Sequence, residues 1–217
     1  MSKLDHPLSQ FSTATLSDGL DRLGRPGSLL GLSPLGAGAG LFGRAFTVRY
    51  VNAGTPAGTV GDYLDEVEPG RVVVLDNAGR TDCTVWGDIL TAMAHHRGVG
   101  GTVIDGVCRD VARAVDLSYP IYSRGRFMRT GKDRVEVSDT GRPVSVGGVQ
   151  VAPGQLVSAD ADGVVVIPVD VEDDLVDICT RINEREQAIL ADVLAGKSLA
   201  GARAEHGYHL LQRRGQS

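Results

Sequence analysis

Apolar residues recur along this chain with two different periods. After Pro7, Leu16, Leu20 and Leu23 fall at helical spacing, with Ser12 or Thr13 placed to cap that helix and Gly24 to end it. A glycine-rich loop, Gly31 to Gly43, leads into an expected strand from Ala45 to Val51, and Thr59 to Val67 reads as a short amphipathic helix stopped by Pro69-Gly70. The middle of the chain is the most regular. Arg71 to Asp76 is a β-branched strand, Asp88 to Arg97 a helix closed by Gly98, Thr102 to Asp105 a second strand, Asp110 to Leu117 a second helix stopped before Pro120, and Ile121 to Ser123 a third strand. Strands alternating with helices over short connections predict βαβ units and a parallel sheet. Beyond Gly125 the period shortens to two. Short strands are expected at Val135–Val137, Val144–Val146, Val149–Val151, Leu156–Ser158 and Val164–Ile167, separated by turns such as Pro153-Gly154 and Asp162-Gly163. From about Asp170 to Leu194 the pattern is helical again, with Ile178, Ile182, Ile189 and Leu190 as apolar points, Gly196 as a stop and a shorter helix in the tail. The expectation is an α/β fold with a parallel βαβ core and a β-rich second half, a single domain over 1–217 with its core at about 10–195 and a helical tail over 196–217.

Composition narrows the function. The 217 residues are 42% hydrophobic and 23% charged, which excludes wholesale disorder. A net charge of −5 provides no basic footprint, so neither nucleic acid nor an anionic membrane is expected as the main partner. The first six residues carry no apolar leader segment, and no apolar run approaches the ~20 residues that span a bilayer. Cys83, Cys108 and Cys179 are too scattered for a disulfide framework or a zinc site and read as free thiols, so a cytoplasmic protein is expected.

Topology then points to a place for chemistry. In a parallel sheet the N-terminus of each crossover helix lies at the edge where the strands end, which is where open α/β sheets bind ligands. Asp76-Asn77, Gly87-Asp88-Ile89-Leu90, Asp105-Gly106 and Arg109-Asp110 converge there. The start of the Asp88 helix offers unpaired amides for a carboxylate or phosphate. Arg109 offers a planar fork matching a carboxylate, and Asp88 and Asp110 offer hard oxygen ligands of the kind that hold Mg²⁺ together with waters. An anion pocket beside such a cation suits a small 2-oxo acid. An aspartate at a helix start is also commonly just a cap, and Arg beside Asp commonly a surface pair.

Trp86-Gly87-Asp88-Ile89-Leu90, then the twenty residues that separate Asp88 from Arg109-Asp110, resemble the acidic-x20-Arg-Asp motif of the RraA-like family. The resemblance extends to Thr15–Gly24, Val103-Ile104-Asp105-Gly106, Pro120–Gly125 and Asp160–Pro168, about residues 10 to 195 in all. The catalytic branch of that family comprises the 4-hydroxy-4-methyl-2-oxoglutarate/4-carboxy-4-hydroxy-2-oxoadipate aldolases. The resemblance implies an α/β/β/α swivelling-type fold, and a homotrimer or homohexamer with sites at subunit interfaces. It implies that the Gly87, Asp88, Ile89 and Leu90 amides and Arg109 bind the pyruvyl part, that Asp110 anchors Mg²⁺ or Mn²⁺, and that Asp88 lies in the substrate and metal-water shell. Glu184 and Glu186 are candidates for an acidic residue supplied to a neighbouring subunit. The regulator branch lacks the Arg-Asp pair, which this chain keeps, so catalysis is expected over a non-catalytic regulator binding protein partners.

The implied reaction is cleavage of a 4-hydroxy-2-oxo acid to pyruvate and a second oxo compound. Arg109 and the metal would stabilise the negative charge left on the pyruvyl part, and oxaloacetate decarboxylation would accompany it. A Schiff-base route needs a lysine. Lys3, Lys132 and Lys197 are the chain's lysines, and none is expected at the ligand edge. Gly38-Ala39-Gly40-Leu41-Phe42-Gly43 fits G-x-G-x-x-G but precedes a strand instead of opening a helix, so no dinucleotide site is expected. His95-His96 read as a helix surface, Trp86 as core, Arg124 and Arg126 as a solvated pair, and Cys108 as an inert thiol.

Overall fold

The computed structural model describes residues 5–36 and 40–208; Lys3, Gly38 and Ala39 of the glycine motif, and the tail beyond 208 lie outside the described residues. The strands are β1 (Ser28–Leu29), β2 (Ser33–Pro34), β3 (Leu41–Asn52), β4 (Val72–Thr84), β5 (Gly101–Cys108), β6 (Ile121–Arg126), β7 (Val135–Thr140), β8 (Val144–Val146), β9 (Val149–Val151), β10 (Leu156–Ala159) and β11 (Val164–Ile167). The α-helices are α1 (Thr13–Leu23), α2 (Asp88–His96), α3 (Val111–Asp116), α4 (Glu172–Leu194) and α5 (Leu199–Glu205). As the alternating pattern predicts, β3, β4, β5 and β6 pair in parallel, with α2 and α3 as the crossovers from β4 to β5 and from β5 to β6. The β-rich half is antiparallel: β10 pairs with β11 and with the first residues of β3, β7 pairs with the end of β3, and β8–β9 forms a separate hairpin.

Period-two alternation sorts these strands into layers. Val73, Leu75 and Ile104 face a core shared with Trp86 and Ala94 under α2 and α3. Their neighbours Val72, Val74 and Val103 face the opposite way, onto Val144, Val146, Val157 and Val166. On β10 and β11, Leu156, Val165 and Ile167 turn outward again and meet Leu16, Leu20, Leu175 and Cys179 of α1 and α4. Helix, sheet, sheet, helix is therefore the packing order, and β3 belongs to both sheets. Gly43, near the point where β3 passes between them, has no room for a side chain: a Cβ there would lie 2.3 Å from the Gly70 carbonyl oxygen.

Local chemistry fixes the ends of the helices. The Ser12 hydroxyl accepts the Thr15 amide at 3.1 Å, and Gly24 closes α1 at φ 68°. Asp160, following β10, accepts both the amide (2.8 Å) and the hydroxyl (2.6 Å) of Thr13. The buried Glu172 at the start of α4 receives a two-pronged hydrogen bond from Arg44 of β3. Among the described residues no helix is long and apolar enough to cross a membrane.

Three expectations change. The strand expected to end at Asp76 runs on to Thr84. Asp76 accepts the Ala78 amide at 3.0 Å, Ala78 and Gly79 take positive φ, and the chain leaves β5 and rejoins it with Arg80 opposite Gly106 and Thr84 opposite Val107. The strand expected from Ala45 begins at Leu41, inside what reads as a loop, because β10 pairs with it there. Thr59–Val67 is not an α-helix. Only a 3-10 turn, Asp62–Glu66, forms, because the Thr59 carbonyl is taken by the Val137 amide (2.9 Å) and the Val60 carbonyl by the Tyr50 hydroxyl (2.6 Å). Those carbonyls are the ones an α-helix would have used for its first hydrogen bonds.

Candidate active site

The ends of β4, β5 and β6 are clamped together by backbone hydrogen bonds. The Arg109 amide donates to the Trp86 carbonyl at 3.0 Å, the Phe127 amide to the Cys108 carbonyl at 2.9 Å, and the Thr84 amide to the Arg129 carbonyl at 2.9 Å. Trp86 is buried as core and stacks on Tyr119. Its indole N–H donates to the Thr91 hydroxyl at 2.9 Å, and that hydroxyl donates to the Gly87 carbonyl at 2.8 Å. This relay fixes the first turn of α2 to Trp86, whose carbonyl the Arg109 amide holds at the end of β5.

Gly87 is where the two halves of the site meet. A Cβ there would lie 2.9 Å from Asp110 Oδ2 and 3.4 Å from Arg109 Nε. Arg109 Nε and Asp110 Oδ2 are themselves 3.2 Å apart, with side chains 40% and 43% exposed. Asp110 occupies the cap position of α3 in left-handed backbone conformation, φ 55°, and its side chain makes no capping hydrogen bond. Its carboxylate is therefore not spent on the helix, unlike the usual aspartate at such a position. Asp88 is exposed at the start of α2, and its Oδ1 accepts the Ile89 amide at 2.8 Å. One of the expected bare amides is thus covered by the carboxylate next to it.

A cleft of about 500 Å³ lies along this edge. Gly87, Asp88, Ile89, Leu90 and Arg109 form one wall, the loop from Gly58 to Asp65 the other, and Thr130 and Lys132 close one side. A smaller hollow of about 270 Å³ borders Arg109 with Asp110, Arg126 and Met128. Arg109 lines both, and Asp110 only the smaller one. Ile89, 78% exposed, stands on the first hollow and Met128, 76% exposed, on the second.

Other carboxylates of the expected edge are used elsewhere. Buried Asp105 pairs with Arg124 and accepts the Gly147 amide at 3.1 Å, and Asp76 accepts the Ser145 amide at 3.2 Å; both pin the β8–β9 hairpin. Arg124 is accordingly a partner of a buried acid, not half of a solvated pair. Burial pushes the Cys108 thiol up to about 12, which removes it as a nucleophile. Lys132, expected away from the ligand edge, lines the cleft, as do Asp62 and Asp65. Lys132 escapes sequence reading because it comes from a loop, and Asp62 and Asp65 because the periodicity of Thr59–Val67 names a buried face and not the cleft that the exposed face borders. Glu186 lies in a separate groove between α4 and α5, where burial and the Asp18 carboxylate raise its own.

Among the described residues one group of three protein groups is spaced to share a divalent ion: Asp192, Glu205 and His206 of the α4–α5 hairpin. None of them lines the cleft. The Lys197 ammonium touches both carboxylates there, at 3.0 Å from Asp192, and already supplies a positive charge. Asp88 borders the cleft and Asp110 the smaller hollow beside it; one or two such carboxylates suit an ion that keeps most of its waters.

Residues 13–166 match the model of the RraA-like family, described as Aldolase/RraA. The chain is 36% identical over 211 residues to protein DlpA of Legionella pneumophila, a match covering 96% of this chain and 34% of that protein, so the chain spans about a third of that relative's length. It is 34% identical over 197 residues to a candidate 4-hydroxy-4-methyl-2-oxoglutarate aldolase of Halalkalibacterium halodurans, covering 87% of this chain and 90% of the other. Among solved structures, an uncharacterised protein of Pseudomonas syringae superimposes with a TM-score of 0.84 at 38% identity, over 91% of this chain and 94% of that one. Streptomyces coelicolor RraAS2, described as an unusual member of the RNase ES inhibitor RraA family, gives 0.76 at 31% identity, over 86% and 97%.

Proposed function

The chain belongs to the RraA-like family, and from that premise we propose that it is a divalent-metal-dependent aldolase. It cleaves 4-hydroxy-2-oxo acids to pyruvate and a second oxo compound, and it decarboxylates oxaloacetate. The observation that carries this reading is the meeting of Arg109 and Asp110 across the missing side chain of Gly87, beside a cleft bordered by Asp88.

Arg109 presents a charged fork to the 2-oxo carboxylate, and the first-turn amides of α2 hold its other oxygen. The substrate carboxylate takes the Ile89 amide from Asp88, which frees the Asp88 carboxylate to accept the proton of the C4 hydroxyl as the C3–C4 bond breaks; the bonding pair passes into the pyruvyl enolate, whose C3 then takes up a proton to give pyruvate. Arg109 also stabilises the negative charge that builds on the pyruvyl oxygen. Loss of CO₂ from oxaloacetate builds the same charge at the same place. Asp110 would hold Mg²⁺ or Mn²⁺, with Asp88 beside it. The fit rests on its carboxylate, which makes no capping hydrogen bond and faces the Arg109 guanidinium as an ion pair, and on the space a Cβ at Gly87 would fill. Such an ion supplies Lewis acidity at the 2-oxo oxygen.

The test is pyruvate release from oxaloacetate and from 4-hydroxy-4-methyl-2-oxoglutarate. EDTA is expected to abolish it, Mg²⁺ or Mn²⁺ to restore it, and borohydride with substrate to leave no adduct on Lys132. Activity indifferent to EDTA together with a borohydride adduct would overturn the metal reading. The likeness to RraAS2 favours a second reading, a regulator that binds protein partners; it predicts no pyruvate release with any metal. The exposed Ile89 on the cleft and Met128 on the smaller hollow support a trimer or hexamer whose subunits meet along this edge, which light scattering would measure.

A further inference from the structure

The cleft has one rigid wall and one built from irregular chain. The rigid wall is the start of α2, held by Trp86 and Thr91. The other is the stretch leading from β3 to the 3-10 turn, which contributes Gly58, Thr59, Val60 and Gly61 to the cleft and has no helical or sheet pairing of its own over residues 53–60. At one end the Ala53 amide donates to the Arg134 carbonyl at 2.9 Å; at the other the Thr59 and Val60 carbonyls accept from the Val137 amide and the Tyr50 hydroxyl. Between these ends the contact is a side chain of β7: Glu136 Oε2 accepts the Gly54 amide at 3.0 Å and the Gly58 amide at 2.7 Å.

That contact is specific to the residue type. A backbone pairing can be made by any residue, whereas one oxygen reaching two amides four positions apart needs a side-chain acceptor on a stem of this length, and a carboxylate accepts more strongly than a neutral amide. The glycine at 58 is part of the fit, because a Cβ there would lie 3.2 Å from Glu136 Oε2 and 3.3 Å from its Cβ. The hydrogen bonds from Gly54 and Gly58 hold the Glu136 carboxyl below its usual range, as two donors on one anion require. Without the Glu136 side chain, both amides would turn to water and the loop would lose these two hydrogen bonds to β7.

We infer that Glu136 is a positioning residue: it holds the Gly54–Val60 loop as the far wall of the cleft and so sets the fit of the distal half of the substrate. This rests on the function proposed above, in which the pyruvyl end lies at Arg109 and α2. A four-carbon acid such as oxaloacetate stays near that end, and a longer, branched acid such as 4-hydroxy-4-methyl-2-oxoglutarate reaches across to Thr59 and Val60. Glu136 acts only through the loop and touches neither reacting atom.

The experiment compares the full chain with Glu136→Ala and Glu136→Gln by amide hydrogen exchange and by steady-state kinetics. Loss of two charge-assisted hydrogen bonds is expected to raise exchange at Gly54 and Gly58 about tenfold or more in Glu136→Ala, with the melting temperature and the exchange of β4 and β5 unchanged. KM for 4-hydroxy-4-methyl-2-oxoglutarate is expected to rise about tenfold, with kcat and the KM for oxaloacetate within about twofold of the starting values. Glu136→Gln keeps one neutral acceptor oxygen of the same reach, so it is expected to recover part of both effects. Unchanged exchange at Gly54 and Gly58 would overturn the tether. Equal losses on both substrates, or none on either, would overturn the role in fit. If the unaltered protein releases no pyruvate from either acid, the proposed function fails and the role in fit with it, while the exchange measurement still decides whether Glu136 holds the loop.

Discussion

Gly87 shows how much one missing side chain can decide. Its backbone is extended, at φ −148° and ψ −163°, which any residue can adopt, so its value lies in space and not in conformational freedom. A methyl group there would lie 2.9 Å from the Asp110 carboxylate oxygen and displace it from its place beside the Arg109 guanidinium. Gly87→Ala is therefore expected to lower pyruvate release at least tenfold while costing only about 1 kcal/mol of stability, the usual penalty for alanine at a helix cap. Kinetics and a denaturant melt on the same sample check both halves. Arg109→Ala is expected to lose nearly all turnover with the fold intact, since the side chain is 40% exposed and packs little core. Full activity in that variant would remove Arg109 from the site. Sequence pattern found both residues, because a loop between strand and helix leaves a readable trace. It did not find Lys132 or Asp62, whose only qualification is where the chain brings them.

At the scale of elements, helix ends carry most of the specificity. The start of α1 rests on Asp160, a carboxylate 147 residues away in sequence from the Thr13 it holds. Burial alone would raise the Asp160 carboxyl, but hydrogen bonds from Thr13, Asp162 and Gly163 outweigh it and leave the group below its ordinary value. A depressed folded value means that the contribution is fully present above the unfolded value of about 3.9 and is lost as pH falls through the folded one. Asp160→Asn is thus expected to cost about 1 kcal/mol at pH 7. That difference from the unaltered protein should shrink below about pH 4. Chemical denaturation at pH 7, 5 and 3 measures it, and a constant difference would assign the effect to packing instead. The Thr59–Val67 segment carries the opposite lesson. Its amphipathic spacing is real, with Tyr63 and Leu64 buried, yet Tyr50 and Val137 claim the carbonyls an α-helix would need. Local periodicity names which face is buried and leaves open which hydrogen-bond partners win.

Across the whole molecule, the four layers leave the three thiols inside: Cys83, Cys108 and Cys179 are all buried, and burial pushes Cys108 and Cys179 up to about 12. The native protein is expected to react with no equivalents of a disulfide reagent at pH 8 within minutes, and with three after unfolding in guanidinium; rapid native labelling would mean that the layers open. The sequence by itself determined the parallel core, the β-rich half and the meeting of α2 with Arg109 and Asp110. Each of these follows from short-range periodicity plus the one-way geometry of a strand-helix-strand crossover. Only the tertiary structure decided that β3 serves both sheets, that β4 runs past Asp76, that Asp105 pins a hairpin instead of lining the cleft, and that a loop held by Glu136 forms its far wall. Those outcomes depend on which distant donor reaches an acceptor first, and spacing along a chain does not encode that.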